Sequence, residues 1–135
     1  MAKTITMIEG IGPVNKEKLS AAGIKTVEHL LQKGGSKKGR KEIAETCGIG
    51  EGVILDWVNM ADLFRIKGVA SQFAELLKAT GVDTVKELKM RNPENLHKML
   101  TETNAQKKLT RVVPALTQVT NFIEQAKSLE PMVTH

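Results

Sequence analysis

One stretch of this chain occurs twice. Laid without gaps over "IKGVASQFAELLKATGVDTVKELK" (66–89), the stretch "IEGIGPVNKEKLSAAGIKTVEHLL" (8–31) matches at nine of 24 positions, where composition alone gives ~1–2. The shared residues include Gly10/Gly68, Leu19/Leu77, Gly23/Gly81, Thr26/Thr84 and Leu30/Leu88. A repeat of this kind limits the fold to one that forms the same local structure twice. The match continues more loosely: "AET" (44–46) answers "TET" (101–103), and "WVNMADL" (57–63) answers "FIEQAKSL" (122–129). The expected organisation is an internal duplication, with units at 4–63 and 64–130 in one compact body and a tail at 131–135.

Each copy carries its own punctuation. Gly10 precedes a tight reversal, and Gly12 is expected to take angles that a side chain forbids. Pro13 suits the first position of a helix, where its missing N–H costs nothing. Gly23 supplies the left-handed residue that stops this helix. Thr26 is the N-cap of the next, with Val27, Leu30 and Leu31 on its apolar side. In the second copy Gly81 is the stop, and Thr84 with Glu87 forms a capping box.

Further helices follow. Ser36 caps one over about 37–47, which Gly48 stops, and "GIG" (48–50) leads into another over 51–64. There Ile54, Trp57, Val58, Ala61 and Leu63 give a one-sided apolar pattern. Asn92-Pro93 opens a helix in the second copy, and Leu116, Val119, Ile123 and Ala126 recur at helical spacing after Pro114. Only "TITMI" (4–8) alternates like a strand, and it is too short to form one alone. The predicted class is all-α.

Composition narrows the function. No apolar run approaches the roughly 18–20 residues that cross a bilayer, and "MAKTITMIEG" does not read as a signal peptide. A single cysteine, Cys47, permits no internal disulfide, so a cytoplasmic protein without a membrane partner is the expectation. The net charge of +5 is spread evenly, ten Lys/Arg against eight Asp/Glu in 1–65 and ten against seven in 66–135. That balance suits a phosphate-bearing partner without requiring one. With no tyrosine, three phenylalanines and one tryptophan, the chain has little to stack against unpaired bases, which disfavours single-stranded nucleic acid.

"GIGPVNKEKLSAAGIKTVEHLL" resembles the helix-hairpin-helix motif: apolar, Gly, apolar, Gly, a helix, then Gly and another apolar residue. With "DLFRIKGVASQFAELLKATGVDTVKELKMRNPENL" (62–96) and the residues of 114–129, the chain resembles a bacterial family of uncharacterised function built from tandem hairpins of this type. The resemblance implies two helix-hairpin-helix units in a SAM-domain-like helical bundle. It also implies a way of holding DNA, in which main-chain N–H groups at the hairpin and the positive end of the helix dipole grip a phosphate oxygen without reading sequence. Carried onto this chain, Gly10, Ile11 and Gly12 form the turn, the N–H groups of Gly12 and Val14 face the ligand, and Lys16 and Lys18 add charge. The second full hairpin has Ala70 in place of a glycine and only Lys67 as a local cation, which reads as structural. In "GIGEGV" Glu51 stands where a phosphate would approach. "TNAQKKLTR" lacks glycine altogether.

The run "KGGSKKGRK" (33–41) puts five cations in nine residues on a glycine-rich loop. Lys37, Lys38, Arg40 and Lys41 are candidates to track a phosphate backbone; the competing reading is a solvated linker. The order GxxxxGK[ST] is missing, so this is no nucleotide-binding loop. Trp57 falls among core residues, and the methionines are scattered gap-fillers. His29, His97 and His135 lack partner ligands in sequence, and Cys47 lacks a cationic neighbour to activate it. No metal, cofactor, small-molecule substrate or catalytic set is expected. Two functions follow: a non-enzymatic module binding duplex DNA weakly through its first hairpin, or a helical protein–protein adaptor with no nucleic-acid ligand.

Overall fold

A computed structural model describes residues 3–134 of the chain. Among them are eight α-helices and no strand: α1 (Pro13–Ala21), α2 (Val27–Gly34), α3 (Lys37–Cys47), α4 (Glu51–Leu63), α5 (Ser71–Ala79), α6 (Val85–Leu88), α7 (Pro93–Lys107) and α8 (Leu116–Lys127). The alternating "TITMI" segment becomes a 3-10 turn over Ile5–Met7, preceded by a lone antiparallel bridge between Thr4 and Thr26. Packing divides the chain into two units, Met1–Asp62 together with Met132–His135, and Leu63–Pro131.

In the first unit α1 begins at Pro13 as its spacing predicts, and it ends through a Schellman arrangement. Gly23 sits at φ +83°, its N–H donates to Ser20, and the N–H of Ile24 donates to the Leu19 carbonyl at 2.8 Å. Leu19 and Ile24 are both fully buried, so the turn that satisfies the carbonyls also brings two core side chains together. Thr26 caps α2 by accepting from the His29 N–H, and Ser36 caps α3 by accepting from that of Gly39. Gly48, at φ +67°, closes α3. The second half of α4 is buried on every side rather than one: Asn59 and Asp62 are enclosed along with Trp57, Val58, Met60 and Ala61.

The second unit repeats several of these local solutions. Gly81 takes φ +99°, with Gly81 N–H to Lys78 and Val82 N–H to Leu77. Asn92 caps α7 ahead of Pro93, and Gln118 returns its side-chain oxygen to the Ala115 N–H at the start of α8. The capping box expected at Thr84 is only half made: Thr84 accepts from the Glu87 N–H at 3.4 Å, while the Glu87 side chain returns no bond. Where "TNAQKKLTR" lacks a glycine, Lys108 itself takes the left-handed conformation at φ +51°. Asn104 steadies that corner with two hydrogen bonds to the Thr110 backbone.

The glycine-rich basic loop expected at 33–41 does not exist. Gly34 ends α2, Lys37 begins α3, and only Gly35 and Ser36 lie between. The three glycines are close-packed contacts. A Cβ on Gly34 would lie 2.5 Å from Val58 Cγ2, and one on Gly35 2.3 Å from the Met132 carbonyl oxygen. On Gly39 it would lie 1.8 Å from the Lys33 carbonyl oxygen. The tail is not free either. Val133 is buried, and the Thr134 N–H donates to the Gly35 carbonyl at 2.8 Å.

Candidate nucleic-acid interface

The first hairpin is open. Gly10 holds φ +96°, and the Ile11 N–H donates to the Ile8 carbonyl at 3.2 Å, with both isoleucine side chains in the core. Gly12 is extended at φ −86°, ψ −173°, angles any residue adopts, so the strained position is Gly10 and not Gly12 as the spacing suggested. What Gly12 contributes is room: a Cβ there would meet nothing within 4 Å.

Beyond it α1 starts without a side-chain cap. The Lys16 N–H is the first to turn inward, donating to the Gly12 carbonyl at 2.9 Å. The N–H groups of Gly12, Val14 and Asn15 find no acceptor among the described residues, as the opening turn of a helix requires unless something caps it. Pro13, with no N–H, interrupts the series. Val14, Lys16 and Lys18 are exposed, and so are Glu9 and Glu17, which temper the local charge. The corner therefore presents three unpaired donors at the positive end of a helix, with two lysines alongside.

The Lys18 carbonyl is 3.5 Å from the Cys47 sulfur, one residue before the left-handed Gly48. Burial pushes the Cys47 thiol above its ordinary range, with the nearby Lys18 charge opposing; a protonated, enclosed thiol is a poor nucleophile. Past Gly48, Gly50 and Gly52 are exposed, and a Cβ added to either would meet nothing within 4 Å. Glu51 opens α4 at that turn. In the second unit, Gly68 repeats the angle of Gly10 at φ +98°, and α5 likewise starts without a side-chain cap; what differs is a tie at the residue before the glycine. Gln125 accepts from the Lys67 N–H at 2.9 Å and donates to the Lys67 carbonyl at 3.0 Å.

Of the basic run, Arg40 does not lie on the surface. It is buried, and its guanidinium donates to the carbonyls of Gly34 and Gly35 at 2.9 Å each and to that of Thr134. Burial lowers its pKa, while Glu51 raises it. A guanidinium so engaged holds the α2–α3 corner. Lys37, Lys38 and Lys41 are exposed on the first turns of α3, away from the start of α1. Lys18 meets Cys47 at the end of α3, while Ala22 shares a cleft of about 350 Å³ with Gly39, Glu42 and Ile43 nearer its start. The two helices thus run in opposite senses, and the length of α1, about 1.5 Å per residue, separates these lysines from Gly12.

Among the described residues no three His, Cys, Asp or Glu side chains converge as a metal site, and no helix is long and apolar enough to cross a membrane. His135 lies outside the described residues.

A family model described as "Domain of unknown function (DUF4332)" matches residues 9–129. The chain belongs to this family. Compared with curated proteins and with solved structures, it matches none. The DUF4332 match takes in the Gly10–Lys18 corner, the left-handed helix stops at Gly23, Gly48, Gly81 and Lys108, and the buried Arg40, so these features fall inside the matched region.

Proposed function

We propose that this chain is a non-enzymatic tandem helix-hairpin-helix module whose first hairpin grips the phosphate backbone of duplex DNA. The observation that carries the reading is the uncapped start of α1, where the N–H groups of Gly12, Val14 and Asn15 stand open beside Lys16 and Lys18. The paired angles at Gly10 and Gly68, and at Gly23 and Gly81, support two copies of one hairpin. The Gln125 tie to Lys67, and the lack of a lysine over 71–77 where the first unit has Lys16 and Lys18, support a division of labour, one copy binding and the other structural.

A backbone clamp of this size recognises charge and shape, not sequence. Its affinity belongs in the non-specific range of about 10⁻⁴–10⁻⁶ M, and two lysine contacts make it about tenfold weaker between roughly 50 and 200 mM salt. The test is fluorescence anisotropy of labelled duplex at those two salts, for the native chain and for Lys16→Glu with Lys18→Glu. Absent binding at low salt, or binding indifferent to the double substitution, refutes the hairpin reading. A protein-adaptor function is favoured by the second unit, where Met90 and Val112 are 77% and 71% exposed. A stoichiometric protein partner, captured by a chain that ignores DNA, would establish it.

A further inference from the structure

The first hairpin holds a polar donor that its glycines do not supply. Trp57, six residues into α4, is only 5% exposed, and its ring lies against Gly10: a Cβ on that glycine would stand 3.3 Å from the indole nitrogen. An indole N–H is a donor and nothing else, and a buried one normally finds an acceptor. This one makes no hydrogen bond within the described chain. Among the described residues the one polar side-chain atom sealed from solvent without a partner is Asn59 Oδ1, so the Trp57 N–H beside Gly10 is not sealed off.

The second unit supplies the contrast. At Gly68 the aromatic neighbour is Phe122, whose Cε1 would lie 3.0 Å from an added Cβ. It has the same shape of support and carries no donor. A ring that served only to floor the turn could be phenylalanine in both places. The first unit has the N–H, and it is the first unit that carries Lys16 and Lys18 beside its turn.

We propose that Trp57 Nε1–H belongs to the anion site, donating to a phosphodiester oxygen held by the N–H groups of Gly12, Val14 and Asn15. This rests on the hairpin reading above and adds a neutral donor to it. Because the indole carries no charge, its loss weakens binding without altering the number of counterions released, whereas loss of a lysine changes both.

The chain has one tryptophan, so the experiment is clean. Isotope-labelled protein is titrated with a duplex of about one helical turn, following the single indole N–H resonance and the Gly12 and Val14 amides. All three are expected to shift with one midpoint. Shifts at Gly12 and Val14 with a stationary indole overturn the role of Trp57 and leave the hairpin standing; stationary signals at all three overturn both. Trp57→Phe, which copies the second unit, is expected to bind about tenfold more weakly with an unchanged salt slope. Undiminished affinity in that variant overturns the proposal. Should Trp57→Phe fail to fold, the titration of the native chain decides alone.

Discussion

Alanine at Gly39 and alanine at Gly52 are the same chemical change in the same kind of place, near the start of a helix, yet they should act in opposite directions. In an open helix position, Gly→Ala gains about 1 kcal/mol by restricting the unfolded chain and favouring the helix. Gly52 is such a position, with nothing within 4 Å of the new Cβ. At Gly39 the same Cβ would lie 1.8 Å from the Lys33 carbonyl oxygen and 3.0 Å from its carbon. Neither is the end of a flexible side chain, so α3 has to move off the end of α2. Forced overpacking costs about 1–3 kcal/mol and more where backbone must shift. After the helical gain, the net loss at Gly39 is about 2 kcal/mol. In urea, followed by the emission of Trp57 in the same unit, Gly39→Ala should lower the midpoint and Gly52→Ala should raise it. A rise in both would mean that the α2–α3 corner is loose, and the close-packed account of these glycines would be wrong.

Gly23→Val and Gly81→Val should each destabilise by at least ~1–2 kcal/mol, since a β-branched residue resists the left-handed angles that the Schellman turns require; unchanged thermal melting in both would remove that assignment. Arg40→Ala removes a donor from three carbonyls, of which only Gly35 keeps another, from the Thr134 N–H, and should cost at least about 2 kcal/mol, with Arg40→Lys a poor rescue because an ammonium lacks the planar fork; a native-like melt for the alanine variant would refute the latch. Cys47, with its thiol raised by burial, should react with a thiol reagent only as fast as the unit opens. The sign of its pH effect follows: the protonated form is the folded one, so its contribution is intact below the ordinary thiol range and is lost as pH climbs through the raised value. Alkylation at the rate of a free thiol in native conditions would contradict the burial.

The helix ends were legible in the sequence because their causes lie within a few residues. Gly23, Gly48 and Gly81 stop helices, and Thr26, Ser36 and Asn92 start them, through bonds spanning three to five positions. The 33–41 segment misled for the opposite reason. Glycine and lysine there have the composition of a loose loop, but Gly35 is small because of Met132, and Gly34 because of Val58. Arg40 looks like any surface cation until Thr134 arrives 94 residues later. The candidate site divides along the same line. Its glycines and lysines could be placed from spacing, but which glycine bears the unusual angle depends on how Ile8 and Ile11 enter the core. The indole N–H beside Gly10 depends on where α4 packs.

The Arg40–Thr134 bond also sets an order of events during synthesis. The corner between α2 and α3 leaves the ribosome early, yet the Thr134 carbonyl that completes the Arg40 fork is translated only after the whole second unit. Closing so long a loop costs little in equilibrium stability, since the penalty grows only with the logarithm of length, but it delays the final contact. Until Val133 and Thr134 emerge, the nascent first unit carries an incompletely satisfied guanidinium at its heart, and it locks only when the chain returns to it.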